Sequence, residues 1–166
     1  MNKIFIVEGI DKVGKTILCK RLSKEFGIKI HDRTDDTFDY SQLKLGDVYA
    51  EEAHLMSKLH HYNESIVFDR CHLSEYVFGE YYRNYDHIKN LQFFSFCDYM
   101  AKMAGATLIY VRPTDMNRSN KEHGSDQRKI AALFDVAFYG SIIEKKYETN
   151  YDDFDNLIKT LKENSK

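Results

Sequence analysis

The chain has 166 residues and a net charge of −2, with 43% apolar and 14% aromatic residues. That is one ordinary domain, 1–166, with ample core material, which excludes two independent cores and wholesale disorder. Near-neutral charge excludes a general coat for nucleic acid polymers, while a few local cations still suffice for a small anionic ligand.

Lys3–Val7 reads as a short apolar strand that ends in a Gly-bearing loop. Lys15–Phe26 follows as a helix with Leu18, Leu22 and Phe26 on one face, stopped by Gly27. Ile28–His31 is a second strand, and Asp32–Gln42 is polar and irregular. Val48–Asn63 has helical spacing through Ala53, Met56, Leu59 and His60. Ser65–Phe68 is a third strand, ending at Asp69-Arg70. Ser74–Tyr82 and Ile88–Gly105 are further helices, in which Phe93, Phe94 and Phe96 read as core. Thr107–Val111 is a fourth strand, and the polar, basic segment at about 113–127 has no periodicity. Gln127–Glu148 reads as one helix and Asp155–Asn164 as the last, with a fifth strand expected near Asn150–Phe154. Short, almost wholly apolar strands alternating with helices predict a three-layer α/β fold, a parallel sheet covered on both faces.

No apolar run approaches the ~18–20 residues of a membrane span, and Met1–Val7 is too short for a signal peptide. Cys19, Cys71 and Cys97 are odd in number and lack CxxC spacing. Reduced thiols in a cytoplasmic protein are therefore expected, with no disulfide framework or zinc site.

Gly9-Ile-Asp-Lys-Val-Gly14-Lys15-Thr16 satisfies GxxxxGK[ST], between an apolar strand and an amphipathic helix. In such a loop the backbone N–H groups of Gly9, Asp11, Lys12, Val13 and Gly14 curl round a polyphosphate at the positive end of the helix. Lys15 reaches the β- and γ-phosphates, and the Thr16 hydroxyl ligates Mg²⁺. Asp11 and Lys12 are either extra ligand-binding groups or turn-favouring solvated residues; spacing alone fits both. Asp69-Arg70 falls at the carboxyl end of the third strand, the edge where ligands bind in open α/β sheets. It is either an ordinary ion pair or an Mg²⁺-orienting acid beside a phosphate-binding fork. Arg33 occupies the same kind of position after strand two. Arg112, Arg118, Lys121, His123, Arg128 and Lys129 form a basic stretch, read either as a solvated face or as a lid over a phosphate site.

Glu8-Gly-Ile-Asp11-Lys-Val-Gly14-Lys15-Thr16 resembles the phosphate loop of thymidylate kinases, in which an acid–glycine pair and an Asp precede GK[ST]. Asp69-Arg70-Cys-His-Leu-Ser74-Glu-Tyr-Val-Phe78 resembles their second signature, and His31-Asp-Arg33-Thr is more loosely similar to their arginine-bearing loop. The resemblance covers most of the chain. It implies five parallel strands with a mobile lid, and transfer of the ATP γ-phosphoryl group, with Mg²⁺, to a deoxynucleoside monophosphate such as dTMP or a related pyrimidine nucleotide. It implies that Asp11 takes the acceptor's 3′-hydroxyl and that Arg33 and Arg70, with Ser74, hold its phosphate. Asp69 then serves Mg²⁺ and the attacking oxygen, and Phe78 lines the sugar or base pocket. Lys12 stands where one branch of the family has a catalytic arginine, and Arg118 lies in the lid, where another branch places its cations.

The loop after strand two lacks the family's proline, and nothing matches its base-stacking aromatic and base-reading arginine. Leu55, His60, His61 and Tyr62 are the nearest residues. The short chain suggests a compact, phage-type member acting in a host cytoplasm, and many relatives are homodimers. The Asp-Arg…Tyr-Val-Phe stretch also resembles deoxynucleoside kinases, with Asp32, Asp35 or Asp36 as the base that accepts a 5′-hydroxyl proton.

Overall fold

A computed structural model describes residues 2–32, 44–115 and 126–164. Five parallel strands form one sheet: β1 (Ile4–Glu8), β2 (Lys29–Asp32), β3 (Ile66–Asp69), β4 (Thr107–Val111) and β5 (Lys145–Thr149). Their order across the sheet is β2-β3-β1-β4-β5. The helices are α1 (Lys15–Phe26), α2 (Asp47–Tyr62), α3 (His72–Tyr81), α4 (His87–Met103), α5 (Gln127–Gly140) and α6 (Phe154–Glu163). Every residue of β1 and β4 is buried, as strands covered on both faces require.

Most expected elements fall within two residues of their sequence bounds. The exception is the stretch expected to be one helix over Gln127–Glu148 with a strand near Asn150–Phe154. There α5 ends at Gly140, and the fifth strand is Lys145–Thr149. The helix stops because Asp98 of α4 takes the Ser141 hydroxyl at 2.7 Å and the Ile142 amide at 2.6 Å, pulling the chain away from the helical path. Among the described residues β5 is a polar edge strand paired only with β4, and its Lys-Lys-Tyr-Glu-Thr sequence carries no apolar strand signature. Within the helices His60 is exposed, and of the three phenylalanines of α4 only Phe94 is buried. All three cysteines are buried thiols, and none is in a disulfide among the described residues.

The order places β1 between β3 and β4, with Val7 opposite Asp69 and Glu8 opposite Tyr110. The loops that follow β1 and β3 therefore leave the sheet side by side. Gly9 sits at φ 143°, and a Cβ there would stand 2.3 Å from the Val111 carbonyl oxygen. Gly9→Ala should accordingly lower unfolding stability by about 3 kcal/mol or more, measured by denaturant titration, because strain and overlap add.

Candidate active site

The loop 9–14 joins β1 to α1. Its N-cap, Gly14, has φ 95° and no side chain to cap the helix, and the first turn carries no acidic residue. α4 and α5, by contrast, are capped by Asp86 and Asp126. The first-turn amides of α1 thus receive no capping side chain from Gly14, at the helix end that carries the positive dipole. Lys15, 6% exposed, begins that helix and donates to the Ile10 carbonyl of its own loop. Burial, then the nearby Arg70 guanidinium, lowers its pKa to about 7 against the opposing pull of Asp11, Asp69 and Glu8.

Thr16 donates its hydroxyl to Asp69 Oδ2 at 2.7 Å, joining α1 to the end of β3. Two hard oxygen donors beside a phosphate loop fit a hard divalent cation such as Mg²⁺. Arg70 follows with φ 75°, a left-handed conformation uncommon for arginine. Its Nη1 donates to the Gly9 carbonyl and to Ser74 Oγ, each at 3.0 Å, and its Nη2 pairs with Asp11 Oδ1. The guanidinium lies 5.1 Å from the centre of the Phe78 ring. The structure therefore brings together Gly9, Asp11, Val13, Gly14, Lys15, Thr16, Asp69, Arg70, Ser74 and Phe78. Lys12 is exposed on the loop at φ 57°.

Glu8, which sequence reasoning used only as part of a motif, lies fully buried under this site. Its Oε1 accepts from the amides of Cys71 at 2.8 Å and Ser74 at 3.2 Å, and its Oε2 from the Ser74 hydroxyl at 2.5 Å. It caps α3 from another strand, and burial, the largest influence, raises its carboxyl pKa despite those bonds. Tyr151 was missed outright. Its ring lies so close to Gly14 that a Cβ there would meet it at 2.7 Å. The signal was its place just past the carboxyl end of the last strand, hidden because that strand was misplaced.

The basic stretch divides. Arg112 is engaged by Glu148 at 2.5 Å, Asp135 at 3.0 Å and Tyr139 at 3.1 Å, over the Tyr110 ring. Lys129 pairs with the helix cap Asp126 at 3.1 Å. Both cations are thus paired with acids on or next to α5 and β5. Arg33, Asp35, Asp36, Arg118, Lys121, His123 and most of the expected lid lie outside the described residues.

No family model and no curated protein matches the sequence. Solved structures do share its architecture. The YorR protein of Bacillus subtilis, in complex with phosphorylated GDP, superposes with TM-score 0.71 at 18% identity, covering 95% of this chain and 92% of that one. The fold is that of the P-loop nucleoside and nucleotide kinases. A deoxyadenosine kinase from M. mycoides, with the products dCMP and dCDP, gives TM-score 0.54 at 17% identity over 98% and 97% of the two chains. Thymidylate kinase from Candida albicans gives 0.52 at 14% identity over 98% and 90%. Among the described residues no helix is long and apolar enough to cross a membrane.

Proposed function

We propose that this chain is an ATP- and Mg²⁺-dependent deoxynucleoside monophosphate kinase, with dTMP or a related pyrimidine nucleotide as acceptor. The observation that carries the reading is the Asp11–Arg70 pair, a carboxylate and a planar cationic fork joined beside the phosphate loop. Arg70 takes the acceptor phosphate bidentately while Asp11 takes a sugar hydroxyl, so one pair aligns both ends of the acceptor's sugar phosphate. Arg33 and Ser74 assist Arg70, and Phe78 walls the sugar or base side. Lys15 and the α1 amides hold the β- and γ-phosphates of ATP. Lys12 and Arg118 are the candidate clamps for charge developing on the transferring group.

Thr16 and Asp69 would hold Mg²⁺, which when bound offsets phosphate charge and orients the donor. An acceptor phosphate oxygen attacks the γ-phosphorus in line as the bond to the β–γ bridging oxygen breaks. No covalent enzyme intermediate is required, and the residues supply positioning and positive charge.

A second reading, deoxynucleoside kinase, has one observation in its favour. Asp32 ends β2 in register with Asp69, at the edge where a base for a 5′-hydroxyl proton belongs. Incubating the protein with ATP, Mg²⁺ and a panel of deoxynucleosides and their 5′-monophosphates, then resolving products by chromatography, separates the two. Diphosphates formed only from monophosphates support the proposal. Monophosphates formed from nucleosides overturn it in favour of the second reading.

The state of Lys15 yields a pH prediction. Above pH ~7 the amine of the unliganded protein is mostly neutral, and an adjacent polyphosphate favours the ammonium form, so ATP binding takes up a proton at pH values above ~7. Titration calorimetry at pH 8 in two buffers of different ionisation enthalpy should show that uptake, and Lys15→Met should remove it. The expected homodimer finds support in the exposed apolar stripe Ile88, Leu91, Tyr99 and Met103 along α4.

A further inference from the structure

Arg70 holds a left-handed backbone at φ 75°. Such a conformation is strained for an arginine and persists only where its surroundings over-determine it. The turn that carries it, between β3 and α3, is gripped from two sides by buried carboxylates. Glu8 holds the amides of Cys71 and Ser74 from beneath the site. The second grip comes from α4, well away from the phosphate loop. Asp98, 2% exposed, takes His72 Nε2 on Oδ1 at 2.9 Å, and His72 is itself fully buried.

Asp98 is a crowded acceptor. The same Oδ1 receives the Ser141 hydroxyl and Oδ2 the Ile142 amide. Burial pushes its pKa up, but the bonds from His72, Ser141 and Ile142 outweigh it and hold the carboxyl below its usual value. Phe94 packs against the imidazole at 5.4 Å between ring centres, and the polar atoms of Glu52, Cys71 and His72 lie within 4.8 Å of one another. Apolar residues of similar volume would stabilise the same space at least as well as such a polar cluster. What the cluster adds is direction. The hydrogen bond at Nε2 fixes how the first turn of α3 is rotated, and Arg70 leaves the chain two residues before His72.

We propose that Asp98, on α4 and outside the site, is a positioning residue for Arg70 that acts through His72, an inference that rests on the kinase reading above. The carboxylate also ties that turn to the chain leaving α5, so the acceptor-side arginine and the approach to β5 share one anchor.

The test compares Asp98→Asn with Ser141→Ala, using the monophosphate that the wild-type protein phosphorylates best. Ser141→Ala removes another partner of the same carboxylate but leaves the His72 bond, so its melting temperature should fall while the acceptor KM stays within about twofold. Asp98→Asn should raise the acceptor KM about tenfold or more with the ATP KM within about threefold. If kcat alone falls, in proportion to folded fraction and with both KM values unchanged, Asp98 is merely structural and the proposal is overturned. His72→Gln carries the same comparison if Asp98→Asn does not fold. A crystal structure of the variant needs no substrate and therefore stands even if the kinase reading fails: Arg70 should leave the left-handed region, and retention of φ near 75° overturns the proposal.

Discussion

Lys15→Met should lower kcat by about 10³-fold or more while leaving the melting temperature close to wild type. The ammonium stands at the first residue of α1, and in the proposed mechanism it acts on phosphate oxygens whose charge shifts as the γ-phosphoryl group moves. Burial in the free protein holds its pKa at about 7 and makes its charge costly until a polyphosphate arrives. Methionine keeps the buried stem and removes the charge, so stability has little reason to fall. The loss is expected mainly in kcat, because the contact strengthens in the transition state. Steady-state rates with saturating ATP and acceptor, beside a thermal melt, check both halves. Near-normal turnover from a folded Lys15→Met protein would exclude phosphoryl transfer at this loop.

Much of the fold was legible because parallel strands covered on both faces read as near-continuous apolar runs. Ile4–Glu8 and Thr107–Val111 announce themselves, and so does the loop after the first. The edge strand Lys145–Thr149 was not legible for the converse reason. It needs only one partner, so its sequence carries charge, and the helix before it ends on a tertiary contact with Asp98 rather than on a local stop signal. The site shows the same division. GxxxxGK[ST] is a local pattern and could be read directly, whereas the role of Glu8 as a cap for α3 depends on strand order, with β1 beside β3. Tyr151 depends on where the last strand ends. Arg112 looked like a lid cation because its partners Asp135, Tyr139 and Glu148 are distant in sequence. Sequence placed Lys15, Asp69 and Arg70 at one edge of the sheet, where the structure has them; which of them face one another needed the register.

Arg70→Ala should reduce kcat/KM for the acceptor by about 10²–10³-fold, with the KM for ATP changed less than about threefold. In the proposed mechanism the guanidinium holds the acceptor side; it is paired with Asp11, bonded to Gly9 and Ser74, and little exposed. Its loss also leaves the Asp11 carboxylate without its partner beside an incoming phosphate, so repulsion adds to the missing attraction. Arg70→Lys restores charge without the planar fork, and recovery should be partial. Arg70→Gly removes the same side chain while suiting the left-handed backbone, so it should match the alanine variant in activity yet be the more stable of the two. That pair separates the chemistry of the side chain from the strain it imposes. The acceptor decides what the result says about function. A monophosphate acceptor loses the contact to its own phosphate, whereas a nucleoside acceptor has none to lose and should suffer less than about tenfold. Equal losses in the KM values for ATP and acceptor would mean that Arg70 belongs to the donor side, and the assignment of the Asp11–Arg70 pair to the acceptor would be wrong.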